Sequence, residues 1–190
     1  SCSTIESFTF ENCSNLSSVT ILDSVKEIEG GAFSGCKKLV SIIIPNSVTD
    51  IGGSAFSNCS SLSSIVLSNN MVNIGFSIFE NCNSLTSVII PNSVRAIYDK
   101  AFSGCSSLVS ITIPSSVTHW GEKVFLDCSN LTSVTISNGV TKIGDGAFNN
   151  CTNLTSIAIP NSVTGIGDST FRGCTSLTSI YLPNSITTID

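Results

Sequence analysis

Apolar positions along this chain recur in blocks that copy one another, and one block shows the elements they predict. From Leu39 the run Leu39-Val40-Ser41-Ile42-Ile43-Ile44 puts Leu39, Ile42 and Ile44 inward and leaves Ser41 and Ile43 outward, the alternation of a half-buried strand. Pro45-Asn46-Ser47 then predicts a turn, because proline presets φ while Asn and Ser satisfy local backbone groups. Val48 and Ile51 predict a short extended piece facing inward, and Gly52 allows the bend that follows. Ala55, Phe56 and Cys59 close the block; a Phe and a Cys three apart predict one helical turn.

The block repeats every 23 residues without an insertion. Cys13, Cys36, Cys59, Cys82, Cys105, Cys128, Cys151 and Cys174 keep that step, and columns of Phe (Phe10 to Phe171) and Leu (Leu16 to Leu177) keep it in two further registers. The chain is therefore a right-handed solenoid of about eight coils. A parallel β-sheet is expected on one face, with rungs ~4.8 Å apart, and short strand and helical-turn arcs on the other. Burying six or seven apolar side chains per coil, at about 1.5–3 kcal/mol each, does not offset the ordering of a whole coil at about 1–2 kcal/mol per residue. One coil cannot fold alone, and stability must come from stacking. Residues 1–190 form a single domain, since no linker interrupts the repeat. Neither terminus carries a distinct polar cap, so the expectation is a piece excised from a longer array, with self-association through uncapped ends as one consequence.

The unit Leu-x-Ser-Ile-x-Ile-Pro-x-Ser-Val-x-x-Ile-Gly-x-x-Ala-Phe-x-x-Cys, nearly whole in Leu39 to Cys59 and Leu154 to Cys174, resembles the BspA-like, or Treponema-type, leucine-rich repeats. The resemblance covers essentially the whole chain. It implies a leucine-rich-repeat solenoid in a cell-surface or secreted protein, acting in adhesion to host extracellular proteins, host cells or other microbes. The reading is a non-enzymatic protein-binding or adhesion segment. The rival reading is a structural spacer or self-associating scaffold without a specific ligand.

Composition narrows the partners. Charged residues make up 11% of the chain, with a formal charge of −5, and Lys37-Lys38 is the only basic pair; nucleic-acid binding is not expected. No apolar run approaches the ~18 residues of a membrane span, so direct insertion is not expected either. The Cys column reads as a ladder of buried, reduced thiols from Cys36 to Cys174, with Cys2 exposed. Helical arcs would sit about 8–10 Å apart, beyond the ~7 Å between Cα atoms that a disulfide tolerates. There is no Cys-x-x-Cys, and His119 is the single histidine. No metal, cofactor or catalytic residue is expected. Sequons at Asn12, Asn15, Asn58, Asn130, Asn150 and Asn153 arise largely from the repeat itself.

Departures from the repeat supply the candidate binding residues, because each coil is a control for the others. Phe76 replaces a Gly or Asp, Tyr98 a Gly and Trp120 an Ile. Spaced 22 residues apart in the array, they should step diagonally across three coils, with Leu126 extending the patch. Two readings stand: compensation for Ile78 and Val124, which enlarge the usual Ala, or contact with a partner. Trp120 occupies an inward register. On the strand face the central outward column contains Ile43, Val66 and Ile89, an apolar strip beside a column of eight serines. β-propensity alone accounts for such residues; a shallow protein-binding surface is the alternative.

Overall fold

The computed structural model describes residues 2–189. Every regular element among them is a strand of two to four residues. The chain winds as a parallel β-solenoid in which residue i stands beside residue i+23, as Ile42 beside Ile65 and Ile157 beside Ile180.

Three rows make up each coil. The strand face holds Ser41–Ile43, Ser64–Val66, Ser110–Ile113, Ser133–Ile136, Ser156–Ala158 and Ser179–Tyr181. A second row of two-residue strands runs from Thr4–Ile5 through Asp50–Ile51 and His119–Trp120 to Thr188–Ile189. Between the first two rows the Pro-Asn-Ser segment forms the expected turn, with Val48 N–H donating to Pro45 C=O at 3.0 Å and Val117 N–H to Pro114 C=O at 3.1 Å. Where Ser68 stands for proline, the same turn bond runs from Met71 N–H to Ser68 C=O at 3.3 Å, and the Ser68 hydroxyl adds a bond to Val48 C=O of the preceding coil at 2.6 Å and accepts from Asn70 N–H at 3.1 Å.

The third row, the Ala-Phe-x-x-Cys arc, corrects the helical-turn expectation. No helix forms there. Alternate backbone N–H groups point in different directions: Phe33 N–H crosses to Ala55 C=O of the next coil at 2.8 Å, while Ser34 N–H turns back to Gly31 C=O at 2.9 Å. Two positions in every arc take a positive φ, as at Ser54 and Asn58 or Lys100 and Gly104. An α-helix needs the same negative φ throughout and spends all its N–H groups within the chain. The arc instead ties its coil to the next, and the second positive-φ column holds only Asn, Asp and Gly, the residues that tolerate the left-handed region best.

The strand face also differs from one continuous sheet. It consists of three parallel pairs, and Ser87–Ile90 lies outside all of them. That segment keeps the alternation, with Val88 and Ile90 buried and Ile89 exposed. The coil is more loosely joined there, since Thr86 N–H reaches Ser63 C=O only at 3.4 Å.

The core is one cluster from Val25 to Ile166. At its centre the Phe column stacks ring on ring, with centroids 5.2–5.9 Å apart from Phe10 to Phe171. Phe33 to Phe148 are fully buried, whereas Phe10 and Phe171 are half-buried. The stack is least regular at Phe79, where its centroid spacing to Phe56 opens to 5.9 Å and its plane tilts 22° from Phe102. Ile78, the enlarged residue beside it, is fully buried.

Candidate protein-binding surfaces

Hydroxyl side chains lock the coil register on the outside. Thr132 donates to Val109 C=O at 3.1 Å, Thr178 to Thr155 C=O at 3.1 Å and Thr187 to Thr164 C=O at 3.0 Å, each reaching the equivalent residue one coil earlier. Asn side chains do the same in the arc, as Asn81 donates to Asn58 at 3.1 Å and Asn150 to Asp127 at 2.8 Å. The sequon asparagines Asn58 and Asn150 thus belong to the register-setting ladder.

The thiols are a ladder of their own. Cys59 Sγ donates to Phe33 C=O at 3.1 Å, Cys105 to Phe79 C=O at 3.2 Å and Cys174 to Phe148 C=O at 3.1 Å. All nine cysteines are free. Because the arcs are hydrogen-bonded directly to one another, the helix-spacing argument against disulfides falls away; the observed state is a thiol donating to a carbonyl. Burial pushes the Cys59 thiol up to about 12 and the Cys82 and Cys105 thiols well above their ordinary value, so they stay protonated and inert. Cys2 is exposed as expected, but Cys13 is exposed too and Cys174 is half-buried. No cluster of three or more metal-ligating side chains occurs among the described residues.

The aromatic departures separate into two groups. Phe76, 54% exposed, stacks on Tyr98 with centroids 4.7 Å apart. Tyr98 in turn meets the exposed His119 ring at 5.4 Å. Trp120 is not part of this chain of rings: the strand His119–Trp120 turns His119 outward and Trp120 inward. There the indole lies edge-on to Phe125 at 5.9 Å and Phe148 at 5.7 Å, with its Nε1–H buried and without a partner. Leu126 is half-buried on the arc. The single histidine, which was not among the candidate binding residues, is the third ring. Its signal was register: His119 and the Tyr98 position lie two residues apart in the repeat, on the same side of the chain.

On the strand face Ile43, Val66 and Ile89 project from three successive coils, 67%, 57% and 85% exposed. Exposed Ser41, Ser64 and Ser87 flank them. Ile65, Val66, Leu67, Asn69, Ile89 and Pro91 line a shallow hollow between two of these coils. From Ser61 onward, the segments that build this face and its turn (61–70, 84–93, 107–116, 130–139, 153–162 and 176–185) contain no charged residue at all. Charge lies elsewhere, in the arc and in the second strand row, as at Asp99, Lys100, Glu122 and Lys123.

Comparison with known proteins agrees with this geometry. The BspA type leucine rich repeat region matches in six copies, over residues 1–109 and 72–190. Among solved structures, the chain is similar to the T. pallidum leucine rich repeat protein TpLRR, with 34% identity and a TM-score of 0.75 over 86% of this chain and 76% of that one. It is similar to a leucine rich cell surface protein from Faecalibacterium prausnitzii A2-165, with 38% identity and a TM-score of 0.76 over 82% of this chain but only 42% of that one. A leucine-rich repeat protein from Bacteroides ovatus is 30% identical, with a TM-score of 0.50 over 98% of this chain and 72% of that one. No curated protein sequence matches at a significant level.

Proposed function

Since this chain belongs to the BspA-type leucine-rich repeat family, we propose that it is a non-enzymatic protein-binding segment of a cell-surface or secreted protein and that it serves in adhesion. One observation carries the reading: the exposed strip Ile43, Val66 and Ile89 on a face whose only charges, Asp23 and Lys38, lie outside the central column. Three large apolar side chains in consecutive coils gain from being covered, at roughly 25 cal/mol per Å² of apolar surface removed from water. The serines beside them offer hydrogen bonds without the cost of desolvating a charge. A relative described as a cell surface protein supports the location.

The test is retention of purified extracellular host proteins by the immobilised chain, with Ile89→Ser and Val66→Ser as probes. The expected result is at least tenfold weaker retention with an unchanged melting temperature. Retention that survives both substitutions removes the strand face from the reading. The stacked Phe76 and Tyr98 rings then become the better surface, and Phe76→Ser with Tyr98→Gly, which return the chain to residue types of its own repeat, test it in the same assay.

A further inference from the structure

The outward column of the strand face reads Thr20, Ile43, Val66, Ile89, Thr112 over five successive coils. That order is a palindrome about Val66. The geometry points to a second copy of this chain as an occupant of the face, paired through a twofold axis that lies along the Val66 strand, and this inference rests on the reading that the strand face is the contact surface. Such an axis reverses the order of the coils and keeps each column opposite itself. Val66 of one copy then meets Val66 of the other, Ile43 meets Ile89, Thr20 meets Thr112, and the serine column meets the serine column. An isologous contact requires a surface complementary to itself under that rotation, and this column supplies apolar against apolar and hydroxyl against hydroxyl at every step.

Charge selects the same face. A chain of formal charge −5 repels its copies. Within the five coils concerned, the strand-face segments hold only Asp23 and Lys38, both outside the central column. Under the proposed axis Lys38 lies opposite Ser84 and Asp23 opposite Ser115, so neither meets a like charge. Five coils at ~4.8 Å by about five residues at ~3.3 Å cover on the order of 400 Å² on each copy. That is below the ~1,200 Å² total of standard interfaces, in the range of transient contacts. The pair is therefore weak and concentration-dependent.

Sedimentation equilibrium of the chain over a concentration series tests it. The parent chain is expected to dimerise reversibly, and association is not expected to weaken between about 0.05 and about 0.5 M salt, since no charge pair is screened. Val66→Lys and Val66→Glu, each confirmed as folded by melting, are each expected to lower association at least tenfold, because the axis sets like charge against like. Mixed in equal amounts, they are expected to pair again as Lys against Glu. A second set does not depend on Val66: Ile43→Lys with Ile89→Glu in one chain keeps pairing, while Ile43→Lys with Ile89→Lys abolishes it. A parent chain that stays monomeric, variants that associate like the parent, or a Lys and Glu mixture that does not recover would each overturn the proposal. A monomeric chain that still retains an extracellular protein through Ile89 overturns self-pairing alone and leaves the protein-binding reading standing.

Discussion

Along the arc, a Phe N–H crosses to the next coil at 2.8–3.0 Å in every step from Phe10 to Phe148, whereas on the strand face the ladder breaks at Ser87–Ile90 and again between Ser133–Ile136 and Ser156–Ala158. The arc spends both its backbone and its side chains on the neighbouring coil: rings stack, thiols donate to carbonyls and Asn amides bridge the outside. The strand face joins its neighbours by backbone in three strand pairs and by hydroxyls such as that of Thr132, and buries its inward residues. Its outward column is free to change type from Thr20 to Ile89 to Tyr181 without touching the core. Stability is concentrated in one side of each coil, and the freedom to vary in the other.

The largest effect that sharpens this contrast acts on the arc alone. In the unfolded chain the thiols ionise near their ordinary value of 9.0, but in the fold Cys59 holds its proton to about 12 and Cys82 and Cys105 hold theirs longer still. Folding therefore keeps its full thiol contribution below pH 9 and loses it as pH rises towards 12. The loss is about 1.4 kcal/mol per pH unit for each buried thiol. Cooperative unfolding in this alkaline window is expected, followed by circular dichroism. Replacing Cys105 with Ala should flatten the pH slope of stability by one thiol's share; an unchanged slope would break the account.

Next come the rings. Phe102→Ala should cost about 3–5 kcal/mol in urea denaturation, from lost burial and the cavity left in the stack. Phe171→Ala should cost less, because that ring is only half-buried. On the strand face Ile89→Ser should stay within about 0.5 kcal/mol, as surface substitutions do. Equal losses at Phe102 and Ile89 would erase the distinction between the two sides. A smaller cost is expected for Gly104→Ala, where φ is +72° and an added Cβ would press on the Asn81 side chain and backbone. The expected loss is about 1–2 kcal/mol. Smaller again than Gly104→Ala is Thr132→Val, which removes one hydroxyl bond to Val109 C=O from an exposed row and should cost about 1 kcal/mol or less.

The period, the inward columns and the strand face were all legible in the sequence, because a 23-residue repeat without insertions fixes which side chains share a column. The arc was not. Ala55, Phe56 and Cys59 carry helical spacing, yet the signal for a non-helical arc lay in the Asn, Asp and Gly column at Asn58, Asn81, Gly104 and Asp127, a mark of left-handed backbone. Among the candidate residues, the inward register of Trp120 could be read from its Ile column, and the pairing of Phe76 with Tyr98 from their diagonal step. The approach of His119 to Tyr98 had a register signal too, two positions apart on one side of the chain, though the 51° tilt between the rings had none.

The hydroxyl and amide rows that bind each residue to its counterpart one coil earlier have a genetic consequence. A single-codon insertion would slide the Thr, Asn and Cys of the next coil off their partners one coil earlier and so break the register between two neighbours, whereas an exchange between any two coils at the same register position keeps every spacing. Twenty-three codons are thus the unit in which such a gene can lengthen or shorten by recombination without passing through an unfolded product, and the length of the array becomes a trait that selection can adjust in whole coils.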